Sequence, residues 1–131
     1  MKKVIKSYPL STLCVVLIWV LSLAPYFPET PLSNVRFIDK YTHFIMYGGT
    51  CVVIWMEHLR HCRKVRQSFH YHPFAFAVLM ALVVLGGLME LLQAYATTTR
   101  SGEWLDFWAD AMGAFLGTGI GLCLKKLVVR N

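Results

Sequence analysis

Apolar residues in this chain come in long blocks, and polar residues mark their ends. One block runs from Leu10 to Phe27, a second from Phe44 to Met56, a third from Pro73 to about Tyr95, and a fourth from Trp104 to about Leu124. About 20 residues of α-helix cross the hydrocarbon core of a bilayer. The second block falls short of that length. Its helix must begin upstream, which draws Asp39, Lys40 and His43 to the membrane boundary. The pattern predicts one all-α membrane domain of four transmembrane helices, at about 10–27, 37–57, 73–95 and 104–124.

The punctuation between the blocks supports these limits. Pro28, Glu29, Thr30 and Pro31 make a turn, and Ser33 or Asn34 suits the cap of the second helix. Residues 58–72 form a basic connector rich in His, Lys and Arg. Pro73 fits the first turn of the third helix, where its missing N–H does no harm. Thr97 to Gly102 make the next turn. Lys2, Lys3 and Lys6 give the first block the look of a secretory signal. It has no A-x-A cleavage site, and Pro25 follows Ala24 directly, so it reads as an uncleaved helix.

Composition strengthens the membrane reading. Hydrophobic residues make up 56% of the chain and charged ones only 15%, where a soluble domain carries about a quarter charged. The net charge of +6 raises nucleic acid as a partner. The cations instead flank apolar segments, which is the mark of membrane-adjacent positive charge, with the lipid bilayer as partner. In a four-span topology, one side carries Lys2, Lys3, Lys6, Arg60, Arg63, Lys64, Arg66, Lys125, Lys126 and Arg130. The other carries Arg36, Lys40 and Arg100. Both termini are therefore expected in the cytoplasm. Cys14, Cys51, Cys62 and Cys123 show no paired spacing, so neither disulfides nor a cysteine zinc site is expected. In the connector, His58, His61, Cys62, His70 and His72 could ligate a metal or could lie on anionic headgroups.

Ionisable residues inside apolar segments carry the candidate chemistry. This topology brings Asp39 and His43, Glu90 and Gln93, and Asp106 and Asp110 to one extracytoplasmic slice of the membrane. Asp39, His43 and Tyr47 are spaced i, i+4, i+8 along one stripe. A carboxylate one turn from a histidine can hold its tautomer and raise its basicity, a role expected for Asp39. Asp106 and Asp110 continue into Gly113, Gly117 and Gly121, a small-residue face that lets another helix approach closely. Asp39 and Asp106 also suit helix N-termini through the dipole alone. Glu90 and Asp110 lie deeper, where a charge costs about 2.5–3.5 kcal/mol at the helix centre. Three uses fit the set. The carboxylates and His43 could hold a divalent metal. Lys40, His43 and Arg100 could grip a phosphate or carboxylate, with the acids as acid and base. The cluster could also be a polar keystone that fixes helix register.

The runs D-K-Y-T-H-F-I-M-Y-G from Asp39, E-L-L-Q from Glu90 and R-S-G-E-W-L-D-F-W-A-D-A-M-G from Arg100 resemble the VanZ-like family of small bacterial membrane proteins. That pattern usually has Asn at the position of Asp110, and Pro or Gly in the turn held here by Thr97, Thr98 and Thr99. The resemblance implies a bacterial cytoplasmic (inner) membrane location. It also implies a link to the cell envelope, the family being named for a member associated with resistance to the glycopeptide teicoplanin.

Together these readings give an extracytoplasmic polar pocket that binds or processes an envelope component, such as a lipid-linked phosphate. His43, Asp39 and Glu90 are the candidate catalytic groups, and Lys40, Tyr47, Gln93, Arg100, Asp106 and Asp110 the candidate binding groups. An enzyme reading, hydrolase or transferase, has no H-E-x-x-H or G-x-S-x-G motif behind it. A structural subunit with a buried polar cluster is the third reading. Glycine faces on four helices also suit a homo-oligomer.

Overall fold

The computed structural model describes residues 1–24, 31–34, 37–65, 68, 70–98 and 102–129. All its regular elements are helical: α1 (Lys2–Ser7), α2 (Pro9–Leu23), a 3-10 turn (Pro31–Asn34), α3 (Ile38–Val65), α4 (Tyr71–Ala96) and α5 (Trp104–Val129). Tyr8 breaks α1 from α2 with φ −133° and ψ 58°. It precedes Pro9, and the proline ring disfavours helical geometry in the residue before it.

Several limits differ from the sequence-based ones. The described part of the first apolar helix ends at Leu23, giving 15 residues. The expected turn at Pro28 to Thr30 lies outside the described residues. Ser33 and Asn34 belong to the 3-10 turn, not to the cap of α3. Phe37 directly precedes α3 with φ 60°, in the left-handed region that side chains rarely adopt. Its carbonyl accepts the amide of Tyr41 at 3.1 Å. α3 runs eight residues past its expected end at Glu57, through half of the basic connector. That stretch contains no Gly or Pro, and its Leu59 and Cys62 are buried. α5 likewise continues through Lys125 and Lys126, cations that suit a helix C-terminus. Lys125 Nζ sits 3.6 Å from the centre of the Tyr71 ring, tying the end of α5 to the start of α4.

Among the described residues, two helices are long and apolar enough to cross a membrane, Tyr71–Ala96 and Trp104–Val128. Large apolar side chains face outward on both, among them Phe76, Val84, Leu91, Trp108, Met112 and Phe115. The interior holds His43, Glu57, Glu90, Gln93, Asp106 and Asp110 together with Tyr47, Trp55, Leu82 and Met89. A polar interior under an apolar exterior is the arrangement a lipid surround favours.

The closest packing joins α3 to α5. Its cause is the glycine stripe. A Cβ on Gly113 would collide with the Phe44 carbonyl, one on Gly117 would lie 2.8 Å from the Gly48 carbonyl oxygen, and one on Gly121 would enter the Trp55 ring. Gly48 meets the backbone of Gly113 in return. The stripe expected for helix packing is thus filled within the chain by α3.

At the opposite end of α3, buried Glu57 binds the start of α2. Its carboxylate accepts the Leu10 amide at 3.0 Å, the Ser11 amide at 2.8 Å and the Ser11 hydroxyl at 2.6 Å. A carboxylate there satisfies orphan donors and favours the helix dipole.

Candidate functional site

The site lies where α3 and α5 begin and α4 ends. α3 supplies Asp39, Lys40, His43 and Tyr47 at successive turns, α4 supplies Glu90, and α5 supplies Asp106 and Asp110. The close α3–α5 approach at Gly113 holds His43 against Asp110, which lies three residues before the contact. Gly86 on α4 leaves room for the same carboxylate, since a Cβ there would be 2.9 Å from Asp110 Oδ2.

His43 is 4% exposed and Asp110 fully buried. The imidazole Nδ1 is 2.9 Å from Asp110 Oδ1. An ionised carboxylate only accepts, so Nδ1–H donates and the Nε2 lone pair is the free one. Nε2 faces Asp39 Oδ1 and Asp106 Oδ2, each at 4.0 Å. This corrects the role expected of Asp39. The carboxylate that fixes the tautomer is Asp110, 67 residues away. Asp39, half exposed, stands at the mouth.

Lys40 gathers the outer acids. Its ammonium hydrogen-bonds Glu103 and lies 3.0 Å from Asp106 Oδ1 and 4.0 Å from Asp39 Oδ2. The contact with Asp106 is an ion pair and not an aligned hydrogen bond. Asp39 and Asp106 therefore each turn one oxygen to Lys40 and the other to His43.

Deeper in, the pattern changes. Glu90 Oε2 accepts the Glu103 amide at 2.8 Å, but Glu90 Oε1, Asp110 Oδ2 and the Tyr47 hydroxyl have no hydrogen-bond partner among the described residues. Gln93 points elsewhere: its amide donates to the Ser22 carbonyl at 2.7 Å, tying α4 to α2. Of the residues expected at the site, Asp39, Lys40, His43, Tyr47, Glu90, Asp106 and Asp110 come together. Gln93 serves a helix contact, and Arg100 lies outside the described residues.

Sequence reasoning missed Glu103. It sits three residues before Asp106, in the turn leading into α5, and that spacing was the available signal. Gly102 beside it lets the turn close on α4, because a Cβ there would strike the Glu90 carbonyl.

Among the described residues, two groups of three could hold a metal ion, each with its donor atoms within 4.8 Å of one another: Asp39, His43 and Asp106, and His43, Glu90 and Asp110. The connector residues His58, His61, Cys62, His70 and His72 form no such group. Of these, His58 Nδ1 shares a hydrogen bond of 2.7 Å with the Tyr8 hydroxyl, and the ring stacks on Phe74 at 3.8 Å. Burial and the neighbouring His61 hold its pKa below the ordinary histidine value. All four cysteines are free thiols.

Beside Glu90, between the end of α4 and the start of α5, lies a cavity of about 380 Å³. Gly87, Leu91, Tyr95, Trp104 and Phe107 form its apolar wall, and Glu90 and Glu103 its polar end.

No family model matches the chain, and neither a curated protein nor a solved structure does.

Proposed function

We propose that the chain is a four-span protein of the VanZ-like type in the bacterial cytoplasmic membrane. In this reading both termini are cytoplasmic and the His43 site faces outward. It receives a lipid-linked component of the cell envelope. The carrying observation is the cavity that runs from an aromatic wall to Glu90 and Glu103, next to the buried cluster. An amphiphile fits such a shape, with its chain along Trp104 and Phe107 and its head at the carboxylates. At the site, Lys40 is already engaged by Glu103 and Asp106, and His43 by Asp110. Hydroxyl, amide or ammonium groups of the head then meet the carboxylates. A phosphate reaches Lys40 by displacing a carboxylate. The uneven distribution of Lys and Arg supports the orientation.

In lipid nanodiscs, native mass spectrometry should show the protein retaining a polyprenyl-pyrophosphate-linked sugar in preference to bulk phospholipid. His43→Ala and Asp110→Asn should lose that preference. Equal retention by wild type and both variants would sink the proposal. A reporter fused after Asn131 should be active only in its cytoplasmic form. A role in teicoplanin tolerance, suggested by the resemblance, predicts that deleting the gene lowers the inhibitory concentration of the drug.

The Asp110–His43 contact favours a second reading, a hydrolase or transferase with His43 as general base. A buried carboxylate on Nδ1 and a free Nε2 lone pair form a base held by its orienting group. Asp110→Asn should then cut turnover by ~10²–10⁴-fold with the helical fold retained. Turnover within threefold of wild type refutes this role.

A further inference from the structure

The charges at this site are balanced unevenly. In the outer part, Lys40 lies against Glu103, Asp106 and Asp39. In the inner part, Glu90 and Asp110 lie together with His43 beside them. Even with His43 protonated, two carboxylates would share one positive charge. Both residues are deeply buried, Glu90 at 8% exposure and Asp110 at 0%. Each has one oxygen without a hydrogen-bond partner among the described residues, and the buried Tyr47 hydroxyl is a third such atom. A buried carboxylate oxygen left unpaired loses its hydration and gains nothing in return, so such oxygens are normally paired or bound to metal. Charge, burial and unused donor atoms coincide at one point.

We propose that His43, Glu90 and Asp110 hold a divalent transition-metal ion, of which Zn²⁺ and Mn²⁺ are the fitting class. The donors are one imidazole nitrogen and two carboxylates, within 4.8 Å of one another. Imidazole with carboxylate suits these ions, whereas Ca²⁺ takes six to eight oxygens and Mg²⁺ keeps an octahedron of oxygens. Zinc is held at about 2.0–2.2 Å from such ligands, so donors this close reach one ion with small side-chain movements. On binding, Nδ1 turns its lone pair to the ion, and the imidazole proton moves from Nδ1 to Nε2. There Asp39 and Asp106, at 4.0 Å, become the accepting carboxylates. An outer-shell carboxylate on the second ring nitrogen is the usual support of a metal-bound histidine. Tyr47 completes the shell as a donor to a ligating carboxylate. The two-proton, two-acid cluster that an unmetallated pocket would need is replaced by one ion that neutralises both acids. The same ion would let the pocket accept the phosphate of the proposed envelope component, which the acids alone repel. That last consequence rests on the function proposed above; the ion itself does not.

The test uses the full chain in detergent micelles, stripped by chelator and titrated calorimetrically with Zn²⁺ and with Mn²⁺. One ion per chain is expected for wild type. Glu90→Gln should weaken binding by at least ~10–100-fold and Tyr47→Phe by about 10-fold, the range seen for supporting shells of metal sites. Asp39→Asn should weaken binding less than Glu90→Gln does, by up to ~10-fold, since it removes one outer support and leaves Asp106 to accept from Nε2. A variant with His61, His70 and His72 all changed to Gln should bind as wild type does. Co²⁺ added to wild type should give a visible ligand-field band that Glu90→Gln lacks. Should circular dichroism show Glu90→Gln unfolded, Tyr47→Phe and the wild-type Co²⁺ band decide. Four outcomes overturn the proposal: no saturable binding by wild type, wild-type affinity in folded Glu90→Gln, equal losses in Asp39→Asn and Glu90→Gln, or loss in the connector variant. The titration contains no lipid, so its failure leaves the headgroup reading standing, and failed lipid retention leaves the ion standing.

Discussion

Alanine at Gly113 and alanine at Gly119 should shift stability in opposite directions. In a helix interior, Gly→Ala gains about 0.5–1 kcal/mol through backbone entropy alone. A Cβ on Gly119 meets nothing within 4 Å, so this gain should appear in full. A Cβ on Gly113 meets the Phe44 carbonyl, a backbone atom that cannot swing aside. Overpacking of that kind costs about 1–3 kcal/mol, which outweighs the gain. The net expectation for Gly113→Ala is a loss of about 0.5–2 kcal/mol. The strain also reaches the site. Asp110 lies one turn before Gly113, and its bond to His43 is 2.9 Å. Moving α5 outward by about 1 Å takes that contact beyond hydrogen-bond reach. The assay is reversible unfolding in mixed micelles against increasing SDS fraction, followed by helical circular dichroism. Gly113→Ala proving as stable as Gly119→Ala would refute the close α3–α5 approach, and with it this account of how His43 is positioned.

Other predictions concern the far end of α3. Glu57→Ala strands three donors of α2, two amides and the Ser11 hydroxyl, and should lower unfolding stability by about 3 kcal/mol or more. Ser11→Ala removes one of those bonds and should cost about 1 kcal/mol. His58 has a folded pKa below its ordinary value, because burial and His61 disfavour its charged form. Its contribution is therefore present above the unfolded pKa of about 6.5 and lost as pH falls toward the folded value. The unfolding midpoint should drop between about pH 7 and pH 5, and His58→Gln should flatten that part of the profile. A wild-type midpoint constant across the interval would contradict the burial of His58.

Helical character was legible because apolar blocks of helix length have few structural alternatives. The ends were less legible. Nothing in the residues from His58 to Val65 breaks a helix, yet their charge made them read as a connector. Charge locates a residue relative to the membrane and says little about its backbone. Within the site, spacing along a helix brought Asp39, His43 and Tyr47 onto one stripe, and Asp106 and Asp110 onto another. It could not rank partners from different helices. Asp39 looked like the partner of His43 because it is four residues away, whereas the 2.9 Å contact comes from Asp110 on α5. Glu57 shows the same limit, since the amides it binds lie 46 and 47 residues away. Gln93 looked like a binding group because it shares a face with Glu90. Its amide meets a carbonyl of α2, a partner that only the assembled bundle supplies.

The order in which the chain is made gives the α3–α5 pairing another meaning. α3 is not among the helices apolar enough to cross a membrane unaided, and Asp39, Lys40 and His43 lie in its first two turns. The groups that balance them, Glu103, Asp106 and Asp110, are translated more than 60 residues later. Until α5 is made, Lys40 and His43 have only Asp39 among the acids that come to pair with them, and the glycine surface of α3 lacks its mate. α3 thus depends for its final packing on a helix that does not yet exist when it leaves the ribosome. α5 completes both the site and the packing of α3, so a chain cut before Trp104 lacks the pocket and the surface against which α3 settles.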